Sequence, residues 1–390
     1  MDYSKIALEK HKEWKGKLDI QSKAPIKTRD DLSTAYTPGV AAPCLEIQKD
    51  PRNSYVYTGR QNLVAVITDG SAVLGLGNIG AEAGMPVMEG KCALFKSLAG
   101  VDAFPVCLNT QDPDELVKII AAMEPTFGGI NLEDIAAPRC FEVEQRLQKI
   151  MNIPVFHDDQ HGTAIVVCSA LVNALKLAKK ENPTIVINGA GAAGCAIATL
   201  ILKLKLGNVI MCDSKGIVSK DRTDLTSGKL ALVDVTNLEN KTGKLADAMK
   251  GADVFIGVSK ANTVSKDMVR SMNEKPIILA MANPNPEIIP TDALEAGAYI
   301  VGTGRSDFAN QINNVLCFPG IFKGALQAQA TCINDAMKEA AVHAIASLIP
   351  EDELRPDYII VSPLQEGVAD VVAAAVKQAA IDSGVVRKWD

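Results

Sequence analysis

The amino-acid sequence predicts an α/β protein with two domains, one of them built on a doubly wound parallel sheet. Short apolar runs alternate along the chain with segments of helical length and composition, such as 113–123, 163–180 and 192–205. Runs that are apolar on both faces are typical of parallel strands covered by helices, and their alternation with helices is typical of α/β folds. The length of 390 residues favours two or three domains at about 150 residues each. The predicted strands are 63–67, 103–107, 128–132, 153–156, 184–188, 208–212, 253–258, 276–281 and 298–302.

Composition and charge exclude several classes of protein. Hydrophobic residues make up 47% of the chain and charged residues 22%, which is typical of a globular protein and not of a disordered one. The net charge is −6 and there is no basic run, so we expect no binding to nucleic acid or to an anionic membrane surface. The apolar runs have the length of core strands, which predicts no membrane span. Nine cysteines without a CxxC pattern predict a reduced, cytoplasmic protein.

A glycine fingerprint directly after strand 184–188 predicts a dinucleotide-binding site. Its first glycine allows a tight turn, its second lets backbone amides approach a pyrophosphate, and its third brings helix and strand together. The helix that begins here offers a partial positive charge to the diphosphate. The residues of this predicted site are Gly189, Gly191, Ala192, Ala193 and Gly194.

The residues after the next strand leave the choice between NAD and NADP open. Asp213 ends that strand about twenty residues beyond the fingerprint, where an acid bonds the ribose hydroxyls of NAD and repels the 2′-phosphate of NADP. Ser214 and Lys215 follow at once, and a hydroxyl with an ammonium group suits that phosphate. The two signals conflict, so either coenzyme is predicted.

A second GxGxxG pattern, at 75–80, is expected to form a tight turn that lines a substrate and not a second nucleotide site. Seven residues separate it from strand 63–67, whereas a nucleotide fingerprint follows its strand directly. Pro86 is also expected to interrupt the helix that would follow it.

Paired acids follow two of the predicted strands. Because the carboxyl ends of adjacent parallel strands meet at one edge of a sheet, these acids are expected to surround one point. Four uncompensated carboxylates together are costly, and a divalent cation offsets that cost. Oxygen ligands favour Mg²⁺ or Mn²⁺ over Zn²⁺, while the flanking histidines are expected to pack or to support the site. The acids are Glu133, Asp134, Asp158 and Asp159, and the histidines are His157 and His161.

These elements predict a discontinuous domain order. HDDQHG leads into the long apolar helix near residue 160, and an Ala-rich helical region begins at about 325. We therefore expect residues 1–160 and 315–390 to form an α/β substrate domain with C-terminal helices. Residues 161–314 are expected to form a Rossmann-type nucleotide-binding domain. The apolar, Ala-rich terminal helices favour a homodimer, for which C₂ symmetry is the default.

The motifs, in this order, resemble those of the malic enzymes, specifically the short microbial form without a fused acyltransferase domain. The resemblance runs from about residue 20 to residue 330, and beyond it the helical C-terminus matches only in character. The motifs that carry it are AYTPGVA (35–41), TDGSAVLGLGNIG (68–80), MPVMEGK (85–91), GGINLEDI (128–135), FHDDQHGTA (156–164), INGAGAAG (187–194), MANPNPE (281–287) and GTGRSDFANQINNVLCFPG (302–320).

The resemblance implies oxidative decarboxylation of (S)-malate to pyruvate and CO₂, with NAD(P)⁺ and a divalent metal. By motif position, it implies that Tyr36 is the general acid and that Lys91, at the substrate, is the general base oriented by Asp158. The long eukaryotic form carries a substrate-binding Arg where this chain has Ala72, so the cationic partner of the substrate carboxylate stays unassigned. The remaining implied roles are metal binding for Glu133, Asp134 and Asp159, and substrate and nicotinamide contact for Asn283 and Asn314.

The proposed chemistry requires Lys91 to be neutral when it takes the hydroxyl proton of malate. Burial and a nearby metal charge are both expected to lower its pKa. One alternative keeps the fold and releases lactate through malolactic-type decarboxylation with retained NAD. A non-catalytic nucleotide-binding sensor is a second alternative, which the filled catalytic positions disfavour. An amino-acid dehydrogenase is a third, and it has no need of the acids predicted to bind metal.

Overall fold

A computed structural model describes residues 3–388 and confirms the α/β class. Ten strands form two separate sheets, each covered by helices, and the ends of the predicted strands lie within two residues of the observed ends. The strands are β1 (Leu63–Thr68), β2 (Asp102–Cys107), β3 (Gly129–Leu132), β4 (Val155–His157), β5 (Thr184–Asn188), β6 (Asn208–Asp213), β7 (Gly216–Ile217), β8 (Val254–Gly257), β9 (Ile277–Ala280) and β10 (Ile300–Thr303).

The helices range from one turn to nearly six turns in length. They are α1 (Tyr3–Trp14), α2 (Arg29–Ala35), α3 (Ala41–Lys49), α4 (Ser54–Tyr57), α5 (Ala81–Ala99), α6 (Pro113–Ala122), α7 (Arg139–Ile150), α8 (Asp158–Ala178), α9 (Ala192–Lys203), α10 (Ser227–Leu230), α11 (Leu245–Met249), α12 (Lys266–Arg270), α13 (Pro290–Glu295), α14 (Phe318–Gln327), α15 (Asp335–Ala346) and α16 (Val368–Asp382).

The first sheet has four parallel strands in the order β2-β1-β3-β4. Strands β3 and β4 are neighbours, with Ile130 opposite Val155 and Leu132 opposite His157. Their carboxyl ends therefore lie side by side, as the prediction for the paired acids required. Both strands are buried along their whole length, because helices cover both faces of the sheet.

The second sheet has six strands in the order β10-β9-β8-β5-β6-β7, all parallel except β7. The chain runs outward from β5 in both directions, to β6 on one side and to β8 on the other. This is a doubly wound sheet, and its switch point lies between β5 and β8, where such sheets bind ligands. Strand β7, which sequence reasoning missed, forms a short antiparallel pair with β6 and pairs Cys212 with Ile217.

Helix α8 links the two sheets and differs from its prediction. It begins at Asp158 and not at 163, so the acids after β4 occupy its first turn. It is also long and apolar enough to span a membrane by the length and hydropathy of its sequence, contrary to the prediction that the apolar runs are only of strand length. In the structure, 72% of that apolar window is buried. Its apolar surface packs mainly against helices α9 and α15.

Helix α5 corrects another prediction, because Pro86 does not interrupt it. The helix runs from Ala81 to Ala99 with Pro86 in its second turn. A proline there removes one N–H donor, and the carbonyl oxygen of Pro86 in turn accepts a hydrogen bond of 2.5 Å from the Lys17 ammonium group. The continuity matters for the site, because Lys91 lies on the same helix one turn further on.

The C-terminal helices return to pack against the first sheet's helices. The rings of Phe95 on α5 and Phe318 on α14 lie 4.8 Å apart between centroids, and Phe322 contacts Phe95 edge-on. Gly320 and Gly324, one turn apart on α14, face α16 so closely that a Cβ atom at Gly324 would lie 2.5 Å from a backbone oxygen of Ala373. The boundaries of the two domains stay a prediction. All nine cysteines are free thiols.

Candidate active site

A cleft of about 1530 Å³ lies at the carboxyl ends of both sheets. The loop after β3 and the start of α8 contribute acids to its wall, and α5 contributes Lys91. The start of α9 contributes Ala193 of the fingerprint, and the loop after β8 contributes Ser259. Gly75 of the second glycine pattern also lines the cleft, against the backbone oxygen of Asn283. The cleft thus brings the predicted dinucleotide site and the predicted carboxylate group into one space.

Three of the four predicted acids form a compact group in this cleft. Glu133 and Asp134 follow β3, Asp159 lies in the first turn of α8, and one carboxylate oxygen from each lies within 4.8 Å of the others. The Asp134 N–H donates to Asp159 Oδ2 over 2.8 Å, which fixes the two acids relative to each other. Burial raises the pKa values of Glu133 and Asp159.

The donor set of this group fits a hard divalent cation. Three carboxylate oxygens from rigid elements offer only oxygen ligands, which Mg²⁺ and Mn²⁺ prefer. Gathering three carboxylates in a buried place is unfavourable unless a positive charge accompanies them. The residues that would hold the cation are Glu133, Asp134 and Asp159.

Lys91 on α5 lies beside this group and is only 6% exposed. Its ammonium group donates to Glu133 Oε1 over 2.7 Å and to Asp158 Oδ2, and it lies 4.2 Å above the ring of Phe318. Burial alone lowers the pKa of Lys91, but the charges of Asp158 and Glu133 outweigh it and raise the pKa above its ordinary value. Without a cation, the carboxylate neighbours of Lys91 thus hold its proton on. The predicted lowering includes the charge of a bound metal and stays a prediction.

Asp158 is fully buried, and its Oδ2 accepts a hydrogen bond from the Lys91 ammonium group. Its Oδ2 also accepts a hydrogen bond of 2.6 Å from Asn314 Nδ2. Burial raises the pKa of Asp158 to about 7. Gly162 makes room for this carboxylate one turn further along α8, because a Cβ atom there would lie 1.8 Å from Asp158 Oδ1. Sequence reasoning missed Gly162, although it stands in the motif HDDQHG.

The two histidines do not join the carboxylate group. His157 is completely buried, and among the described residues neither of its ring nitrogens has a hydrogen-bond partner. Burial lowers the pKa of His157 to about 4, so it is neutral beside Asp159. His161 Nε2 lies 3.0 Å from Glu144 Oε2 instead.

The surroundings of the three fingerprint glycines fit the roles predicted for them: Gly189 and Gly194 are closely packed, and Gly191 is open. Gly189 has φ +119°, and a Cβ atom on it would lie 2.5 Å from the carbonyl oxygen of Val258 after β8. A Cβ atom on Gly194 would lie 1.7 Å from the Gly189 oxygen, so only glycine lets α9 approach the strand. Gly191 precedes Ala192, the first residue of α9, and has open space where its side chain would be.

The structure does not bring Tyr36 to the cleft of its own chain. Tyr36 caps the C-terminus of α2, is 66% exposed and is not among the residues that line the cleft. Asn283 and Asn314, by contrast, both line it. Sequence reasoning also missed Lys15 and Lys17, two cations on the cleft wall that follow α1 and carry no motif.

Asp213 ends β6 as predicted but already has cationic partners. Arg222 binds it with both terminal nitrogens, at 2.8 and 2.9 Å, and the ammonium group of Lys229 lies at 2.5 Å. Lys215 donates its backbone N–H to Asp213 and pairs its side chain with Asp224 at 2.6 Å. Sequence reasoning missed Arg222 and Lys229, because the loop and the one-turn helix α10 that carry them have no recognisable sequence pattern.

In comparison with known proteins, both halves of the chain match domains of one family. Residues 15–148 match the family described as "Malic enzyme, N-terminal domain" and residues 160–381 match "Malic enzyme, NAD binding domain". A bifunctional malic/malolactic enzyme of Bacillus subtilis is 57% identical over 99% of this chain and 95% of its own length.

Other relatives differ in the coenzyme that they are named for. An NADP-dependent malic enzyme of Haemophilus influenzae is 51% identical over 96% of this chain, which spans only 52% of that protein. The crystal structure of an NAD-dependent malic enzyme from Thermotoga maritima is 48% identical and superimposes with a TM-score of 0.92, covering 95% of this chain and 98% of its own.

The carboxylate group predicts where Mn²⁺ binds and how pH affects it. We expect Asp159→Asn to raise the dissociation constant for Mn²⁺ by about 100-fold, measured by calorimetry. Glu142→Gln is the matched control, because Glu142 is an exposed acid on α7 that pairs with Arg146. The raised pKa values of Glu133 and Asp159 mean that protons compete with the cation, so affinity should fall on acidification at a pH where exposed carboxylates, with pKa values near 4, are still ionised. An affinity that falls only where exposed carboxylates take up protons would contradict this prediction.

Proposed function

The chain belongs to the malic enzyme family, and we propose that it converts (S)-malate into pyruvate and CO₂ with reduction of NAD⁺ or NADP⁺. One observation carries the proposal most directly. A buried lysine, a carboxylate group suited to a divalent cation and the glycine fingerprint all meet at one cleft. The family's named members are NAD- or NADP-dependent malic enzymes, which supports the same reaction.

A divalent cation and a nicotinamide coenzyme would supply two parts of this chemistry. A divalent cation would be held by Glu133, Asp134 and Asp159 and would supply positive charge for the substrate oxygens and for the charge that develops when CO₂ leaves. A nicotinamide coenzyme held at the glycine fingerprint would supply the acceptor for the hydride from C2 of malate. The residues that would hold both groups line the same cleft as Lys91, so the chain's own residues have the remaining task of moving protons.

Lys91 takes the proton from the C2 hydroxyl of malate in this proposal. It must first lose its own proton, and burial in the cleft favours that loss while Glu133 and Asp158 oppose it. A carboxylate committed to a divalent cation opposes the loss less, because its charge is shared. Asp158, whose pKa burial raises to about 7, lies within hydrogen-bond contact of the Lys91 ammonium group and is suited to hold the departing proton.

Tyr36 donates the proton that C3 receives after CO₂ leaves, and for this we propose a homodimer. Tyr36 lies outside the cleft of its own chain, so it must reach the cleft of a second copy. The N-terminal helices support such an exchange, because none of the described residues of α1, α2 and α3 is buried within the chain. Among them, Leu32 and Leu45 are large apolar side chains that lie about half exposed.

A second function, malolactic decarboxylation, is favoured by one specific observation. The Bacillus subtilis relative at 57% identity is named as a bifunctional malic/malolactic enzyme. In that reaction the hydride returns to the C2 carbon and lactate leaves, so no reduced nicotinamide accumulates.

A coupled assay with malate and Mn²⁺ separates the two functions. We expect reduced nicotinamide and pyruvate in a one-to-one ratio, measured by near-ultraviolet absorbance and by quantification of the acid. Lactate formed in excess over reduced nicotinamide would instead favour the malolactic reaction. Malate left unconsumed with either coenzyme would exclude both.

Replacement of Lys91 should abolish turnover while coenzyme binding is retained. General-base catalysis contributes about 10²- to 10⁴-fold, so we expect Lys91→Ala to keep less than about one hundredth of the wild-type kcat, with partial rescue by added primary amines. The matched control is Lys96→Ala, since Lys96 lies on the same helix but pairs with Asp102 on the surface. A Lys91→Ala variant that kept more than about a tenth of the rate would rule out the role of Lys91.

Complementation between two inactive variants tests whether the site is shared. Chains carrying Tyr36→Phe and chains carrying Lys91→Ala are co-expressed, so that about half of the dimers are mixed. If Tyr36 acts in the partner's cleft, each mixed dimer has one site with both residues intact, and we expect about a quarter of wild-type activity to return. Purified mixed dimers without activity would show that Tyr36 acts within its own chain or not at all.

A further inference from the structure

We propose that Glu287, a carboxylate buried behind the wall of the cleft, favours binding of the oxidised nicotinamide coenzyme over the reduced one. This inference rests on the proposed function, because it concerns the coenzyme of that reaction. Glu287 is the last residue of the motif MANPNPE, and no proton transfer of the proposed reaction involves it. Its contacts indicate a different task, which is to set the charge that the coenzyme meets.

Glu287 is completely buried where two loops of the second sheet meet. Its Oε1 accepts from the Ser259 N–H over 2.8 Å, in the loop after β8, and its Oε2 accepts from the Ala282 N–H over 3.1 Å, in the loop after β9. Gly257 at the end of β8 leaves the space, because a Cβ atom there would lie 2.3 Å from Glu287 Cδ. No ion pair among the described residues includes Glu287, so hydrogen-bond donors and not a cation stabilise its charge.

The hydrogen bonds favour the ionised form of this carboxyl group. Burial raises the pKa of Glu287, whereas donation from the two N–H groups opposes that rise. A proton on either oxygen would weaken an acceptor that faces an N–H donor, and a buried donor without a good acceptor is costly. The group is therefore held as a negative charge in the interior.

The nicotinamide half of a dinucleotide is expected at this part of the sheet. The two halves of a dinucleotide bind on either side of the switch point of a doubly wound sheet, which here lies between β5 and β8. The fingerprint follows β5 and adjoins β6, so the adenosine half is expected there and the nicotinamide half over β8 and β9. Ser259 and Ala282 both line the cleft. The Glu287 carboxylate thus lies one peptide group behind the cleft wall on that side.

Glu287 also orients two peptide groups, each with its negative end away from the carboxylate. In a trans peptide the N–H and the C=O point in opposite directions, so the carbonyl oxygens of Val258 and Met281 point away from Glu287. The Val258 oxygen lies 2.5 Å from the place of a Cβ atom on Gly189, and the Met281 oxygen lies 3.7 Å from that of a Cβ atom on Gly304. Val258, Met281 and Gly304 all line the cleft, so these partial negative charges add to that of Glu287.

A negative potential at this place distinguishes the two forms of the coenzyme. The nicotinamide ring carries a positive charge when it is oxidised and none when it is reduced. Charges interact more strongly in a poorly solvated interior than in water, so Glu287 stabilises the bound oxidised ring and gives the reduced ring no such gain. The chain therefore takes up oxidised coenzyme even where the reduced product competes for the site.

Binding of both coenzyme forms, without malate or metal, tests the inference. We expect Glu287→Gln to raise the dissociation constants of NAD⁺ and NADP⁺ about tenfold more than those of NADH and NADPH, since a charge interaction at this depth is worth about that much. Calorimetric titrations with the four coenzymes measure the difference. If Glu287 only linked the two loops, both forms would weaken equally, and that result would overturn the inference. A failure of malate oxidation would not affect these titrations, so the proposed function is tested separately.

Two further variants separate the charge of Glu287 from its shape. Glu295→Gln is the matched control, because it removes the same charge from an exposed acid on α13 that pairs with Lys266, and it should leave the ratio of the two dissociation constants unchanged. Glu287→Asp keeps the charge, so we expect it to keep the wild-type ratio even if both forms bind more weakly. A ratio in Glu287→Asp equal to that in Glu287→Gln would contradict the inference.

The wild-type protein decides if Glu287→Gln does not fold. In that case we expect the oxidised form of the coenzyme to bind at least as tightly as the reduced form in the same titrations. Tighter binding of the reduced form would overturn the inference.

Discussion

The burial of charge at the carboxyl end of β3 is the constraint on which the rest of the site depends. Lys91 and Asp158 are both almost completely buried, and neither is tolerable there without the other. The two charged residues lie on elements from different parts of the chain. The lysine lies on α5, and the acid lies in the first turn of α8. The packing of these two helices must therefore be exact, because an error of an ångström would leave an uncompensated charge in the interior.

Small residues and aromatic packing maintain this arrangement. Gly162 leaves the space that the Asp158 carboxylate occupies, and the ring of Phe318 closes the other side of the Lys91 ammonium group. Phe318 itself packs on Phe95 of α5, so the C-terminal helices support the same lysine from outside the first sheet. The return of the chain after the second sheet is thus part of the site and not an appendage to it.

Much of this site follows from local sequence, and the reasons for the rest are physical. Acids that directly follow buried strands must lie at the sheet edge, so Glu133 and Asp159 were predictable from strand pattern alone. The direction in which the pKa of Lys91 shifts was not predictable. It depends on a balance between burial and two carboxylates, at distances that only the folded chain reveals. Arg222 and Lys229 were also unpredictable, since neither a loop nor the single helical turn of α10 has a periodic pattern that indicates which way its side chains point. The exposure of Tyr36 depends likewise on how α2 packs.

The two ends of the cleft now have opposite electrostatic requirements, and this opposition explains why an acidic chain can use anionic ligands. At the malate end, three carboxylates cannot receive a dianionic acid until a cation offsets their charge. At the coenzyme end, Asp213 at the expected ribose position is already paired with two of the chain's own cations, Arg222 and Lys229. A net charge of −6 is therefore no obstacle, because the field that a ligand meets is set by the few groups within about a Debye length and not by the whole surface. The malate end depends on a bound cation and the coenzyme end does not. Removal of the metal should therefore weaken malate binding and leave the binding of the coenzyme's adenosine half unchanged.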